Sequence, residues 1–252
     1  MQSRRREFLA AAAGLGLGGL GGAAATLLAA PPKLLPFRKT DPPPAPAAAT
    51  GDSEEPNTPP ESLMLEHAVQ ERLLGVYEEV AGRLQSQEDA RAAGLLHQAA
   101  ALVRKFYEDF HQRLEEQYVF PHFENHAQLG PLVKTLKAQH AALRAMTDKI
   151  LEATGNRPPA AGALPAEGAR SELAQACRKT VRLCRPHMAR EATDLFQALY
   201  DAVPAATLNQ LSEVFEKKQE EVFGDDPLQN ILAEVAGIEK ELGLLDLSRL
   251  TP

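Results

Sequence analysis

Tryptophan is absent from this sequence, aromatic residues make up only 5% of it, and cysteine occurs twice. Cys177 and Cys184 are seven residues apart in a helical pattern, about 10 Å along one helix axis. They cannot pair with each other without unwinding that helix. In an oxidising compartment they read as small buried residues, with a free thiol as the alternative. Nor is there an excess of positive charge: 27 Lys and Arg stand against 34 Asp and Glu, a net charge of −7. Nucleic-acid binding needs clustered cations along one face, so it is excluded. No segment alternates polar and apolar residues with period two, which removes strand pairs.

The first residues read as an address rather than as fold. Arg4, Arg5 and Arg6 precede Glu7-Phe8-Leu9 and a Gly/Ala/Leu run to about Ala30, with small-residue cleavage options after Ala25 or Ala30. A basic start followed by a weakly hydrophobic, glycine-rich run is a twin-arginine pattern. It predicts export by that route to a periplasmic or other extracytoplasmic location. An uncleaved membrane anchor is the competing reading, although the run is short and glycine-rich for a span. From Pro31 to Pro60 ten of thirty residues are proline, so this stretch cannot bury a core and reads as a semi-extended linker.

The rest is apolar enough, at 44% of the whole chain, for one sizeable core or two small ones. Thr58-Pro59-Pro60-Glu61 is a capping box with proline at the first helical position, predicting a helix to about Gln85. Its apolar stripe is Leu63, His67, Leu74, Tyr77, Ala81 and Leu84. A second helix, about Ala90 to His126, carries Leu96, Ala99 or Ala100, Val103, Tyr107, His111, Glu115 and Tyr118, with Pro121 expected to kink its end. A third, about Leu129 to Ala153, carries Leu132, Leu136, His140, Leu143, Thr147 and Ile150. After a Pro/Gly/Ala-rich loop, a fourth from about Arg170 to Ala202 carries Leu173, Cys177, Thr180, Cys184, His187, Glu191, Leu195 and Ala198, with a bend expected at Pro186.

Short connections make neighbours antiparallel, so the fold class is all-α: an antiparallel four-helix bundle. Two further helices are predicted, about Ala205 to Val222 and Pro227 to Leu242, broken at Gly224. Their apolar residues Leu208, Leu211, Phe215, Ile231, Val235 and Ile238 suit a cap on the bundle better than a partner-binding surface. The chain thus divides into a signal or anchor (1–30), a linker (31–60), the bundle (61–203) and a C-terminal helical extension packed on it (204–252).

Each bundle helix places one histidine on its apolar stripe, and two of them add a glutamate four residues on: His111 with Glu115, and His187 with Glu191. Residues i and i+4 share a helix face one turn apart, so each pair can present a nitrogen and a carboxylate to one point. Bare glutamates in an apolar interior cost several kcal/mol each. Metal cations remove that cost, and imidazole with carboxylate suits iron, manganese or zinc. His67 or His140 alone would read as a hydrogen-bonded core residue, and Glu115 or Glu191 alone as the edge of a stripe. Six such residues on four inward stripes read as ligands. Four imidazoles and two carboxylates suit two metals, each taking two imidazoles, with both glutamates bridging and positions left for an oxo or hydroxo bridge and a small molecule. Ferritin-type di-iron bundles use two Glu-x-x-His motifs, and here only Glu108-x-x-His111 fits. His97, His122 and His126 read as surface residues or as neighbours of the site.

The stretches LMLEHAVQERLLGVYEE (63–79), FYEDFHQRLEEQYVFPHFE (106–124), LVKTLKAQHAALRAMTDKIL (132–151) and CRPHMAREATDLF (184–196) resemble the hemerythrin-like, or HHE cation-binding, family. FEKKQEEVFGDDP and VAGIEKELGL resemble a tail found on bacterial members, so the likeness spans about residues 60 to 250. The resemblance implies a non-heme di-iron centre with His67, His111, His140 and His187 as terminal ligands and Glu115 and Glu191 as bridges. The implied roles are binding or sensing oxygen, nitric oxide or peroxide, turnover of peroxide or nitric oxide as a di-iron oxidoreductase, and iron storage or donation. Oxygen-carrying hemerythrins have a second histidine where this chain has Arg144, and an aspartate five residues after the last histidine where it has Glu191 at four. Both departures point away from simple oxygen carriage and toward the bacterial group with one fewer histidine. Tyr107, Tyr118 and Gln112 are candidates for the missing ligand, and Glu116 and Arg144 are placed near the site.

Overall fold

A computed structural model describes residues 57–86, 91–155 and 166–250, without the side chains of 249 and 250. The twin-arginine segment and all but the last four residues of the proline-rich linker lie outside the described residues. Helix α1 is Pro59–Ser86, α2 covers residues 92–122, and α3 is Gly130–Thr154. Helix α4 covers residues 167–202, followed by α5 (Ala205–Phe223), α6 (Pro227–Leu242) and a closing 3₁₀ turn, Leu247–Leu250. No strand occurs among the described residues, and no helix among them is long and apolar enough to cross a membrane.

Cross-helix pairs fix the directions. Thr58 meets Tyr200, Gln70 meets Cys184 and Gln85 meets Arg178, so α1 and α4 are antiparallel. His97 meets Thr154, Glu108 meets Thr147 and Glu116 meets His140, so α2 and α3 are antiparallel as well. With α1 also against α2 and α3 against α4, the four helices close into a bundle. The predicted stripes are its core: Leu63, Leu74, Tyr77, Leu84, Leu96, Leu136, Ile150, Cys177, Cys184 and Leu195 are all 0–1% exposed. Burying each Leu or Ile contributes about 1.5–3 kcal/mol.

Local chemistry sets the ends. Glu61 Oε2 accepts from both the backbone N–H and the hydroxyl of Thr58, at 2.8 and 2.7 Å, which is the reaching-back half of the capping box. Gly155 ends α3 at φ 72°, where a side chain would be strained, and its N–H satisfies the Leu151 and Glu152 carbonyls.

Three differences from the periodicity are informative. Helix α2 stops at His122 rather than His126, because Pro121 falls in a 3₁₀ turn, Phe120–His122. Helix α4 begins at Glu167 and runs unbroken through Pro186. The helices depart from α geometry instead in three π segments, Val103–His111, Glu115–Val119 and Glu191–Leu195.

Helices α5 and α6 lie against α1 and α2. Phe215 packs edge-on to Tyr118 at 5.8 Å, and Phe223 meets Phe106 and Phe110 at 5.8 and 5.1 Å. Arg72 holds Glu239 through two hydrogen bonds at 2.9 and 2.5 Å.

Candidate metal centre

His67 on α1, His111 on α2, His140 on α3 and His187 on α4 converge in the bundle interior, between 0 and 7% exposed. Glu115 and Glu191 lie among them, both 0% exposed. Each imidazole turns Nε2 inward. Glu115 Oε1 is 3.4 Å from His111 Nε2, while its Oε2 is 3.4 Å from His140 Nε2. Glu191 Oε1 is 3.1 Å from His187 Nε2 and 3.5 Å from His140 Nε2, while its Oε2 is 3.5 Å from His67 Nε2. Each carboxylate therefore splits its two oxygens between two histidine pairs, His67 with His111 and His140 with His187. Two groups of His, His and Glu donors result, each with its donor atoms within 4.8 Å of one another.

His67 Nε2, His111 Nε2 and all four carboxylate oxygens are buried without a hydrogen-bond partner. Six orphaned polar atoms aimed at one spot would cost several kcal/mol in total if nothing joined them. They fit cations, and the mixed nitrogen and oxygen donors fit the transition metals that accept both. π turns recur at functional sites, and here one ends on His111 while the other two begin on Glu115 and Glu191.

Three of the outer nitrogens are held as well. His111 Nδ1 is 2.7 Å from Glu66 Oε2, His140 Nδ1 is 2.9 Å from Glu116 Oε1, and His187 Nδ1 is 2.9 Å from Gln139 Oε1. Such partners fix the tautomer and ring plane of a metal-binding imidazole. Ring contacts add to this: Tyr107 stacks on His111 at 4.8 Å, Phe196 on His67 at 5.4 Å and Phe120 on His140 at 5.4 Å. Glu116 is itself gripped by Arg144 at 2.9 Å. Burial alone would raise the Glu116 carboxyl, but His140 and Arg144 together bring it down to about 2.

The electrostatics of the metal-free chain follow from the same contacts. Burial opposes charge on His111, yet Glu115 and Glu66 outweigh it and push the imidazole up to about 10. Burial likewise opposes charge on His140, and Glu115, Glu116 and Glu191 push it up to about 11. His67 goes the other way, lowered chiefly by burial. Glu115 and Glu191 stay below the ordinary carboxylate range: burial would raise them, and the neighbouring imidazoles more than offset it.

All six residues singled out as ligands are brought together. Of the three candidates for a further ligand, Tyr118 is not at the site: it is half-buried against Phe215 of α5, because the wider turn opening at Glu115 changes the register after it. The Tyr107 hydroxyl is buried and unpartnered beside the Cys184 thiol, and Gln112 is buried with both amide atoms unpartnered. His97 bonds Thr154, and the exposed His122 and His126 lie beyond Phe120. Glu66 and Gln139 were missed by the stripe pattern. Each directly precedes an inward histidine but serves the histidine of the next helix, so polar residues before His67 and His140 were the available signal. Glu116 follows Glu115 in the same way, whereas Ala192 follows Glu191.

The model of the hemerythrin HHE cation binding domain matches residues 58–199. An uncharacterized protein of Mycobacterium tuberculosis strain H37Rv is 41% identical over 203 residues, covering 81% of this chain and 77% of its own length. Its counterparts in strain CDC 1551 and in Mycobacterium bovis match with the same identity and coverage. No solved structure matches the chain significantly. With the family match covering the whole stretch from which the four histidines and two glutamates converge, the chain belongs to the hemerythrin HHE cation-binding family.

Proposed function

We propose that the chain is an exported di-iron protein that binds or senses a small molecule, namely oxygen, nitric oxide or peroxide, at the bundle centre. The observation that carries this reading is the sharing of Glu115 and Glu191 between two histidine pairs, with every inward oxygen otherwise unpartnered. His67 and His111 with one oxygen from each glutamate would hold one iron; His140 and His187 with the remaining oxygens would hold the other. Two nitrogens and two oxygens leave coordination open on a metal that accepts six donors, as in other non-heme iron sites with few protein ligands. When bound, the iron pair supplies reversible electron transfer to such a ligand.

The protein's own part is to hold the donors and keep water out. Phe120, Phe196 and Tyr107 cover His140, His67 and His111 in turn. Burial of all six donors favours retention of the ions over rapid donation to a partner. The twin-arginine pattern supports export with the fold and metal already in place, and the proline-rich linker would space the bundle from a membrane if the leader stays uncut.

Turnover of peroxide or nitric oxide is a second reading, favoured by Tyr107. Its hydroxyl lies on a ring stacked against His111, and burial with the nearby Glu191 and Glu115 carboxylates holds the phenol well above its ordinary value, so it stays protonated and can offer a hydrogen bond rather than a proton. Absorbance of the reduced, iron-loaded protein exposed separately to oxygen, nitric oxide and peroxide tests both. A stable, reversible change with any of them supports binding, and continuous consumption faster than free iron's supports turnover. No change with all three rejects the proposal.

A further inference from the structure

The His67 and His111 half of the centre is braced from outside the four-helix bundle. Glu66, 2% exposed on α1, directs Oε2 to His111 Nδ1 at 2.7 Å and accepts at Oε1 from Gln219 Nε2 at 2.5 Å. Gln219 is on α5, beyond residue 199 where the family match ends. The contact is not a chance touch of a loose tail. Phe223, on the same helix, packs against Phe106 and Phe110, and Phe215 packs against Tyr118. Phe110 directly precedes His111, and Tyr118 follows Glu115 by three residues.

The other half is braced from within. Arg144 of α3 holds Glu116 against His140, and Gln139 of α3 serves His187. The bundle therefore supplies a second hydrogen bond to the carboxylate behind His140, whereas the carboxylate behind His111 receives its second bond from α5. A buried carboxylate with one partner can still rotate. With two, its plane is fixed, and so is the imidazole it orients.

We infer that Gln219 is a positioning residue for the metal centre, acting through Glu66 on His111, so that α5 belongs to the centre and selectively secures the ion held by His67 and His111. This rests on the two-ion reading given above. A cavity of about 120 Å³ borders the contact, lined by Ser62, Leu65, Glu66, Phe106, Gln219 and Phe223 among others. It has room for water. Water there would partly replace a lost amide, which places the effect near the lower end of the range of about 10–100-fold seen when such outer partners are removed.

The test is metal release from the loaded full-length chain into a chromogenic chelator, comparing wild type with Q219M, Q219K and the exposed control K217A. The expected result is that Q219M gives up one of its two ions about 10-fold faster while the second leaves at the wild-type rate. Q219K keeps a donor for Glu66 and should restore slow release, and K217A should match wild type. Unchanged release in Q219M overturns the inference, as does equal acceleration of both ions with a lowered melting temperature, which would mark a merely structural role. A wild-type chain that holds no metal pair defeats the two-ion reading itself, and this inference with it. Two tightly held ions with an indifferent Q219M defeat this inference alone.

Discussion

Truncating Glu115 to alanine should strip the centre of metal while leaving the fold. Its side chain is fully buried and places one oxygen 3.4 Å from His111 Nε2 and the other 3.4 Å from His140 Nε2. A single truncation therefore removes one donor from each ion, from four protein donors to three. Removing an outer partner of a metal ligand costs about 10–100-fold in affinity, so losing an inner ligand should cost at least the upper end, about 100-fold or ~2.7 kcal/mol per ion. The metal-free fold is spared the worst penalty, that of an unpaired buried charge. Glu115 is a main cause of the raised His111 and His140 values, so both imidazoles can shed their protons when it goes. The assay is elemental analysis after passage over a chelating column, with far-UV circular dichroism alongside. Wild type should retain two ions per chain, E115A fewer than one, and E71A, an exposed control paired with Arg185, two. An E115A protein that keeps two ions as firmly as wild type would refute the bridging geometry.

Metal uptake should release about two protons per chain near neutral pH, because His111 and His140 hold protons up to about 10 and 11 in the metal-free chain; an indicator dye in weak buffer reads this, and uptake without release contradicts it. The same two groups sit above their ordinary value of 6.5, so their stabilisation of the metal-free fold is complete below that pH and is lost as pH rises through 10. Thermal melts of metal-free protein should accordingly weaken over that alkaline range, and a flat profile would count against the pairing. Cys177 and Cys184 are 0% exposed, with burial pushing both thiols up to about 12; a thiol reagent should label neither in the native protein, and labelling faster than unfolding would show the core to be open. A Cβ on Gly130 would lie 2.7 Å from the Glu124 carbonyl oxygen, so G130A should cost about 1–3 kcal/mol and several degrees of melting temperature, with metal content unchanged; an unchanged melt would show that the turn before α3 yields freely.

The bundle was legible in the sequence because every helix repeats its apolar residues at helical spacing and four stripes each carry a histidine. The inward set could be read for the same reason: His111 with Glu115 and His187 with Glu191 are one α-helical turn apart. The π turns were not legible. No residue type demands an i→i+5 bond, and the distortion arises where the helices must aim Glu115 and Glu191. That distortion also explains the misplacement of Tyr118. Glu66 and Gln139 escaped notice because their partners lie on neighbouring helices, and no stripe reports which helix will be adjacent. Gln219 lies 153 residues from Glu66 in the chain, so only folding brings the two together. Pro186 does not end α4, which stays helical through it to Arg190.

The number and identity of metal ions per chain, measured on protein purified without added metal, tests the central claim most directly. The account predicts two irons in each chain. No metal, or a single zinc, would mean that the four histidines and two glutamates do not act together as one centre.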